Sequence, residues 1–191
     1  MAFCPVPHSL REQVWLLTGV SLGIALASWW RRRASRASHL PRATDPPLDV
    51  VLVSSDPLPL GFLASKVLCP SAGGIATFIG TTRDHFEGKR VVRLEYEAYD
   101  LMAKKEMHNI IAAIRTRWQV RHVAIAHRVG VVPAAESSVE IAVSSTHRAE
   151  ALEAVHFAIN ELKKTVPIWK KEIYDEGDAQ WKENKEWKLP R

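Results

Sequence analysis

Two stretches with helical spacing of apolar residues constrain the fold of this chain most strongly. In residues 101–118 the apolar side chains recur every three or four positions, as Met107, Ile111, Ile114 and Trp118. Residues 147–164 carry a second stripe of the same kind, made of Leu152, Val155, Ile159 and Leu162. Each stripe lies on one face of a helix and must be buried against another element, so we expect a layered domain with a packed core.

Short apolar and β-branched runs flank these helices. They cover residues 49–54, 74–79, 91–96, 123–129, 139–143 and 168–174, and a further helix-like segment at 60–68 ends at Cys69-Pro70. The polar residues 84–89 are expected to form a long hairpin loop and residues 133–138 a turn. The order strand, helix, strand, strand, helix, strand, with hairpin-like pairs, predicts an α+β fold with a largely antiparallel sheet.

The first 47 residues differ from the rest and are expected to form a separate segment. Residues 14–30 are uncharged and largely apolar, and four arginines follow closely. As a helix this run would span roughly 25 Å, near the lower limit for crossing a bilayer. A membrane anchor that leaves the following chain in the cytosol, a secretory or transit signal, and a segment with no role in the chemistry all remain open. The Arg, Ser and Pro content of residues 34–47 predicts a flexible linker, and a folded domain is expected at 48–191.

Charge and cysteine content exclude several classes of function. The formal net charge is +5, but residues 1–49 hold six arginines and only three acidic residues. The remaining domain is nearly balanced, which argues against a broad nucleic-acid-binding face. Cys4 and Cys69 are far apart and lack zinc-ligand spacing, so neither a disulfide framework nor a metal site is expected. Cys69 is expected to be a small buried thiol.

One group of cations lies where an anion would be bound. His147 and Arg148 stand at the start of the second helix, which Ser145 or Thr146 is expected to cap. Backbone N–H groups and the helix dipole favour an anion there, and a phosphate would offset the positive charge of Arg148. Arg83, which follows a strand, could form a fork on a phosphate or carboxylate. Each feature alone is more typical of a solvated surface arginine.

A second group of cations lies on the two sides of a turn at Pro167. Lys163, at the end of the second helix, and Lys170, on the extended segment, can face one another across it. By the two-residue period of a strand, Trp169 and Ile173 share one side, and we expect them to pack inward. A lysine crowded by another cation and shielded from water can act as an amine nucleophile or base. Taken alone, such a run is more often a solvated surface.

These stretches together resemble the signature blocks of one family, the large (catalytic) subunit of molybdopterin synthase. The similar blocks occur in order along the chain, as Gly73–Arg83, Leu94–Tyr99, Ser144–Arg148 and Val166–Glu172. The resemblance extends from about residue 48 to about residue 187, and the sequence of residues 170–174 is similar to the vertebrate type. Residues 1–47 match no part of the family.

The resemblance implies a fold, an assembly and an activity. The fold is of the α/β-hammerhead type, and two large subunits form a central homodimer with one small ubiquitin-like subunit at each end, a heterotetramer. The C-terminal Gly-Gly of the small subunit, carried as a thiocarboxylate, enters a pocket of the large subunit. It delivers sulfur twice to cyclic pyranopterin monophosphate, which becomes molybdopterin, and no bound cofactor or metal is implied.

The resemblance also implies roles for individual residues of the 48–191 domain. Lys163 and Lys170 match active-site lysines. Positions that bind the substrate are matched by His147, Arg148, Arg83, Lys171 and Glu172. The His147-Arg148 pair would reach the pocket across the dimer. Lys163 is expected to approach the thiocarboxyl carbon and Lys170 to donate a proton or stabilise charge, although these two roles could be exchanged.

A different class of function remains open from the residues alone, namely a noncatalytic module with a basic pocket. Such a module would bind RNA or a phosphopeptide and could be tethered to a membrane through residues 14–30. Trp181 and Trp187, which lie among lysines, could stack on the bases of a single strand. The nearly neutral domain and the lack of an RRM-type aromatic motif argue against this alternative.

Overall fold

A computed structural model describes residues 46–175 and 179–182. The apolar run at 14–30, nearly all of the linker, Cys4 and Trp187 lie outside the described residues, so the expectations for them stay predictions. Among the described helices, none is long and apolar enough to cross a membrane.

The described residues form nine strands and three helices. In chain order these are β1 (Asp49–Ser54), α1 (Phe62–Lys66), β2 (Gly74–Thr81), β3 (His85–Phe86), β4 (Lys89–Ala98), α2 (Asp100–Arg117), β5 (Val120–Arg128), β6 (Gly130–Pro133), β7 (Ser137–Ser145), α3 (Arg148–Thr165), β8 (Ile168–Tyr174) and β9 (Gln180–Lys182). Both long helices lie within one residue of their predicted ends, because their apolar stripes have many repeats. Helix α1 is shorter than predicted.

The stretch predicted as a long hairpin loop is instead a tight hairpin. Glu87 and Gly88 both have positive φ, 49° and 80°, and reverse the chain between β3 and β4. Only two residues of β3 pair with β4, His85 with Arg90 and Phe86 with Lys89. A two-residue strand shows no alternation that a sequence pattern could detect, and the short β6 was missed for the same reason.

The strands form two sheets. The first has the order β1-β5-β7-β2, in which β1 pairs with β5 in parallel and the other pairs are antiparallel. The second has the order β3-β4-β8-β9, is antiparallel throughout, and holds β6 against β4. The predicted α+β fold with largely antiparallel pairing is therefore confirmed.

The core lies on both faces of the first sheet. Helices α2 and α3 pack on one face around Met107, Ile114 and Ile141, and α1 packs on the other face around Leu63 and Ala142. Because both faces are covered, every residue of β7 is buried. This double covering buries even the polar residues of β7, among them Glu140 and Ser144.

Helix α3 begins differently from the prediction. Its N-cap residue is His147, which makes no side-chain capping hydrogen bond. Ser145 is the last residue of β7, and its hydroxyl donates a hydrogen bond to the carbonyl oxygen of His147. The predicted cap by Ser145 or Thr146 is therefore wrong, because the strand continues up to the residue before Thr146. A Cβ at Gly73 would lie 2.5 Å from the carbonyl oxygen of Thr146, so glycine is needed where β2 approaches this turn.

Candidate active site

A cavity of about 260 Å³ lies where the two sheets meet the C-terminal end of α3. The first sheet contributes the end of β2, the end of β5 and the start of β7, and the second sheet contributes β4 and β8. The apolar part of the wall includes Phe78, Val139 and Leu162. The polar side chains of the wall are Thr81, Tyr96, His127, Ser138, Lys163 and Lys170.

Two lysines from different elements reach this one cavity. Lys163 belongs to the last turn of α3, and Lys170 is the third residue of β8. Between them the chain leaves the helical conformation at Val166, whose N–H donates a hydrogen bond to the carbonyl oxygen of Leu162 at 3.1 Å. Pro167 has no N–H and cannot extend the helix, so the chain turns back and brings both ammonium-bearing side chains to the same wall.

Lys170 is held by a buried carboxylate. Its Nζ lies 3.3 Å from Oε1 of Glu172, and the hydroxyl of Tyr174 donates a hydrogen bond to Oε2 of the same carboxylate. Glu172 is only 3% exposed. A carboxylate at this depth needs such partners, and a buried ion pair with a further hydrogen bond fixes the position of its cation. Glu172 thus fixes Lys170 beside the cavity.

The side of β8 that packs inward is the opposite of the predicted one. Lys170, Glu172 and Tyr174 share the inward side, while Trp169 on the other side is 38% exposed. The prediction that Trp169 and Ile173 pack inward was based on hydrophobicity alone. It is wrong for Trp169, because Glu172 can be buried on the other side of the strand, where Lys170 and Tyr174 satisfy its carboxylate.

His127 contributes a neutral imidazole to the cavity wall, and the sequence reasoning missed it. His127 is 5% exposed, and its Nδ1 lies 2.7 Å from the carbonyl oxygen of Arg128. Burial lowers the pKa of His127 to about 4, although the hydrogen bond to Arg128 works in the opposite direction. A histidine inside the apolar run 123–129 was the available signal, since burial within a central strand suppresses its charge.

Tyr96 links His127 to Lys170. The rings of Tyr96 and His127 meet edge to face with centroids 5.0 Å apart, and Tyr96 is the cross-strand partner of Lys170 in the β4–β8 pair. Burial raises the pKa of Tyr96, the charge of Glu172 adds to this rise, and a hydrogen bond with Ser138 opposes it. The phenol therefore keeps its proton at neutral pH, so Tyr96 and His127 both contribute polar but uncharged groups to the cavity.

The predicted anion-binding residues lie elsewhere. His147 and Arg148 are exposed at the N-terminal end of α3, whereas Lys163 lies fifteen residues further along the same helix. At about 1.5 Å per residue, this separation is roughly 22 Å. Arg83 is exposed, and its guanidinium carbon lies 5.7 Å from the centre of the Phe86 ring. Within the described part of the chain, these three side chains do not line the cavity.

The side chain of Lys171 lies on the side of β8 opposite Lys170 and Glu172. Its Nζ lies 5.6 Å from the centre of the Trp181 ring on the neighbouring strand β9, a cation–π contact. The structure therefore brings Lys163, Lys170 and Glu172 together and separates them from Lys171. Cys69 is buried and not disulfide-bonded, as the sequence predicted.

Comparisons with known proteins agree on one family. A family model described as MoaE protein matches residues 53–165. The molybdopterin synthase catalytic subunit of Taeniopygia guttata is 54% identical over 143 residues, which cover 74% of this chain and 92% of that protein. An X-ray structure of molybdopterin synthase from Staphylococcus aureus is similar with a TM-score of 0.63 and 33% identity, and the match covers 73% of this chain and 98% of that one.

A further solved structure shares the fold at lower identity. It is a protein–protein complex of subunits 1 and 2 of molybdopterin-converting factor from Helicobacter pylori 26695, with a TM-score of 0.59 and 19% identity. The match covers 74% of this chain and 94% of that chain.

Proposed function

The chain belongs to the MoaE family of molybdopterin synthase catalytic subunits, and we propose that its cavity is the place where sulfur passes to cyclic pyranopterin monophosphate. The sulfur donor is a small ubiquitin-like partner subunit whose C-terminal Gly-Gly carries a thiocarboxylate. The observation that supports this site is the convergence of Lys163 and Lys170 on one cavity from two different elements. The reaction makes the protein a sulfurtransferase of molybdenum cofactor biosynthesis.

The two lysines meet the charge requirements of this reaction. A thiocarboxylate is an anion, and each transfer leaves a carboxylate on the partner in its place, so the pocket must stabilise negative charge throughout. We assign Lys163 to approach the thiocarboxyl carbon. Lys170, held at 3.3 Å from Glu172, has a fixed position from which to stabilise charge or donate a proton. Glu172 thereby contributes by fixing Lys170.

The positions of the other cations support the proposed assembly. His147 and Arg148 are too far along α3 to serve the cavity of their own chain, so we propose that they bind the substrate in the pocket of a neighbouring large subunit. Arg83 and Lys171, whose side chains do not line this cavity, are also proposed to bind the substrate, on the strength of the family resemblance alone. Two large subunits, each with a small subunit, would then form a heterotetramer, and the Helicobacter pylori complex of subunits 1 and 2 supports the small-subunit partner.

The proposed catalytic domain is residues 48–191, located in the cytosol. If residues 14–30 do enter a membrane, the arginines that follow them would remain on the cytosolic side, and the domain with them.

The test of the proposed function compares two adjacent lysines. Purified protein is mixed with thiocarboxylated small subunit and cyclic pyranopterin monophosphate, and molybdopterin is measured. We expect Lys163→Ala to lower product formation by roughly 100-fold or more, as loss of a charge-stabilising group does. Lys164→Ala is the matched control, because Lys164 pairs with Glu161 at 2.9 Å away from the cavity wall. Equal activity of the two variants, both folded, would contradict the assignment.

The noncatalytic alternative is not favoured. Of the two tryptophans that this alternative uses, Trp181 already packs against Lys171. Lys163 and Lys170 line a cavity and do not form an open basic face. Binding to oligonucleotides across a salt series would reveal such a module, since its affinity would fall steeply as salt is added.

A further inference from the structure

His127 has no part in the chemistry proposed for the two lysines, yet it lines the cavity. A carbonyl oxygen can only accept a hydrogen bond, so the Nδ1 of His127, 2.7 Å from the carbonyl oxygen of Arg128, must carry the proton and donate it. The other ring nitrogen, Nε2, therefore keeps its lone pair. Within the described part of the chain, no hydrogen bond reaches this nitrogen.

The cavity thus offers two different kinds of polar group. Lys163 and Lys170 can only donate hydrogen bonds and attract negative charge, whereas the neutral imidazole of His127 can accept a hydrogen bond at Nε2. A ligand that uses both kinds must have an anionic end and an N–H group close to it. A peptide that ends in a thiocarboxylate has this arrangement, because each of its terminal residues carries a backbone N–H.

The small size of the cavity also suits a chain without side chains. Gly80 lines the cavity, and a Cβ placed there would lie 2.6 Å from Cγ1 of Val139. With about 260 Å³ available, an extended pair of glycines is a better occupant than residues with branched side chains.

We propose that the Nε2 of His127 accepts a hydrogen bond from a backbone N–H of the partner's terminal Gly-Gly, and so orients the thiocarboxylate towards Lys163 and Lys170. The inference rests on the proposed function and adds a residue that forms a hydrogen bond with the partner's main chain. It makes His127 a binding residue for the sulfur donor, and it requires no change in the protonation of the imidazole during the reaction.

The experiment removes each partner of this hydrogen bond separately and then both together. The small subunit is prepared with N-methylglycine in place of the last or the second-last glycine, which deletes one N–H at a time. Its binding to wild-type and His127→Ala proteins is measured by calorimetry. At one of the two positions we expect N-methylation to weaken binding to wild type by about tenfold, the size of one neutral hydrogen bond. The same N-methylation should change binding to His127→Ala little.

Control variants separate this effect from a loss of structure. His108 also has Nδ1 near a carbonyl oxygen, that of Lys104 at 2.8 Å, but it is exposed on α2, so His108→Ala should bind like wild type. His127→Gln keeps an acceptor oxygen and should bind better than His127→Ala. If both His127 variants fail to fold, the ¹⁵N resonance of Nε2 in wild type gives the answer, because it should shift when the unmodified tail binds and shift less with the N-methylated tail.

Two results would overturn the inference. One is that N-methylation at each of the two positions weakens binding to wild type and to His127→Ala equally. The other is that the Nε2 resonance does not shift when the tail binds. If wild type still makes molybdopterin in that case, the proposed function is retained and only the binding role of His127 is contradicted. If wild type makes no molybdopterin from the thiocarboxylated partner, both fall.

Discussion

Exchange of subunits between two inactive variants tests whether Arg148 serves the pocket of a neighbouring chain. Arg148 is the first residue of α3, and Lys163 is in its last turn. Fifteen helical steps of about 1.5 Å separate them by roughly 22 Å. An arginine side chain is far shorter than this distance, so a pocket that needs both residues must take them from two chains.

The expected recovery can be worked out from this geometry. Arg148→Ala and Lys163→Ala proteins should each be nearly inactive alone. In a mixed dimer, one pocket has both residues intact and the other lacks both. Random exchange of equal amounts makes about half of the dimers mixed, and each has one intact pocket of two. The mixture should therefore regain roughly a quarter of wild-type activity if the pockets act independently.

A second mixture is the matched control. Lys163→Ala and Lys170→Ala remove two residues that line the same cavity of one chain, so every pocket in their mixed dimers still lacks one lysine. Molybdopterin formation is followed after exchange, and a pull-down of differently tagged chains verifies that mixed dimers exist. Recovery in neither mixture, with exchange verified, would refute the shared pocket.

Two further predictions concern the terminal segment and a buried carboxylate. Deletion of residues 1–47 should leave molybdopterin formation unchanged, because all four signature blocks follow residue 48, and a large loss of turnover would contradict this boundary. Glu140 accepts a hydrogen bond from the N–H of Leu63 at 3.1 Å, and burial raises its pKa. The folded state then binds a proton more tightly than the unfolded state, so stability falls as pH rises from about 4.5 through the raised pKa. In denaturant unfolding, the free energy of unfolding of Glu140→Gln should increase relative to that of wild type from pH 4 to pH 8. A difference that does not change with pH would contradict this direction of the pKa shift.

Local rules predicted the parts of the site that depend on neighbours in sequence. The stripe that includes Ile159 and Leu162 fixed where α3 ends, and Pro167 fixed where the chain must turn. Together they predicted that Lys163 and Lys170 face one another, and the structure lines one cavity with both. The runs at 123–129 and 139–143 similarly predicted strands, and β5 and β7 occupy these positions in the structure.

Which side of β8 faces inward could not be predicted, because it depends on a strand far away in sequence. Hydrophobicity favoured Trp169 for the interior, but the inward side holds the buried Glu172, which pairs with Lys170 and accepts a hydrogen bond from the Tyr174 hydroxyl. His127 was missed for a related reason. Its neutral state depends on its burial in the folded domain and its fixed tautomer on the Arg128 carbonyl, so only the folded chain makes it a hydrogen-bond acceptor.

The register between β4 and β8 joins these separate observations into one site. Lys170 is opposite Tyr96 and Glu172 is opposite Leu94 in this antiparallel pair, and the Tyr96 ring contacts His127 on the first sheet. Cross-strand partners project to the same face of a sheet, so a shift of one residue would turn Lys170 away from the cavity and bring Lys171 towards it. Because Lys171 has no carboxylate neighbour on its own side of β8 comparable to Glu172, such a shift would leave the cation without its buried partner. The buried Glu172 therefore helps to set the strand register that brings Lys170, Tyr96 and His127 to one wall.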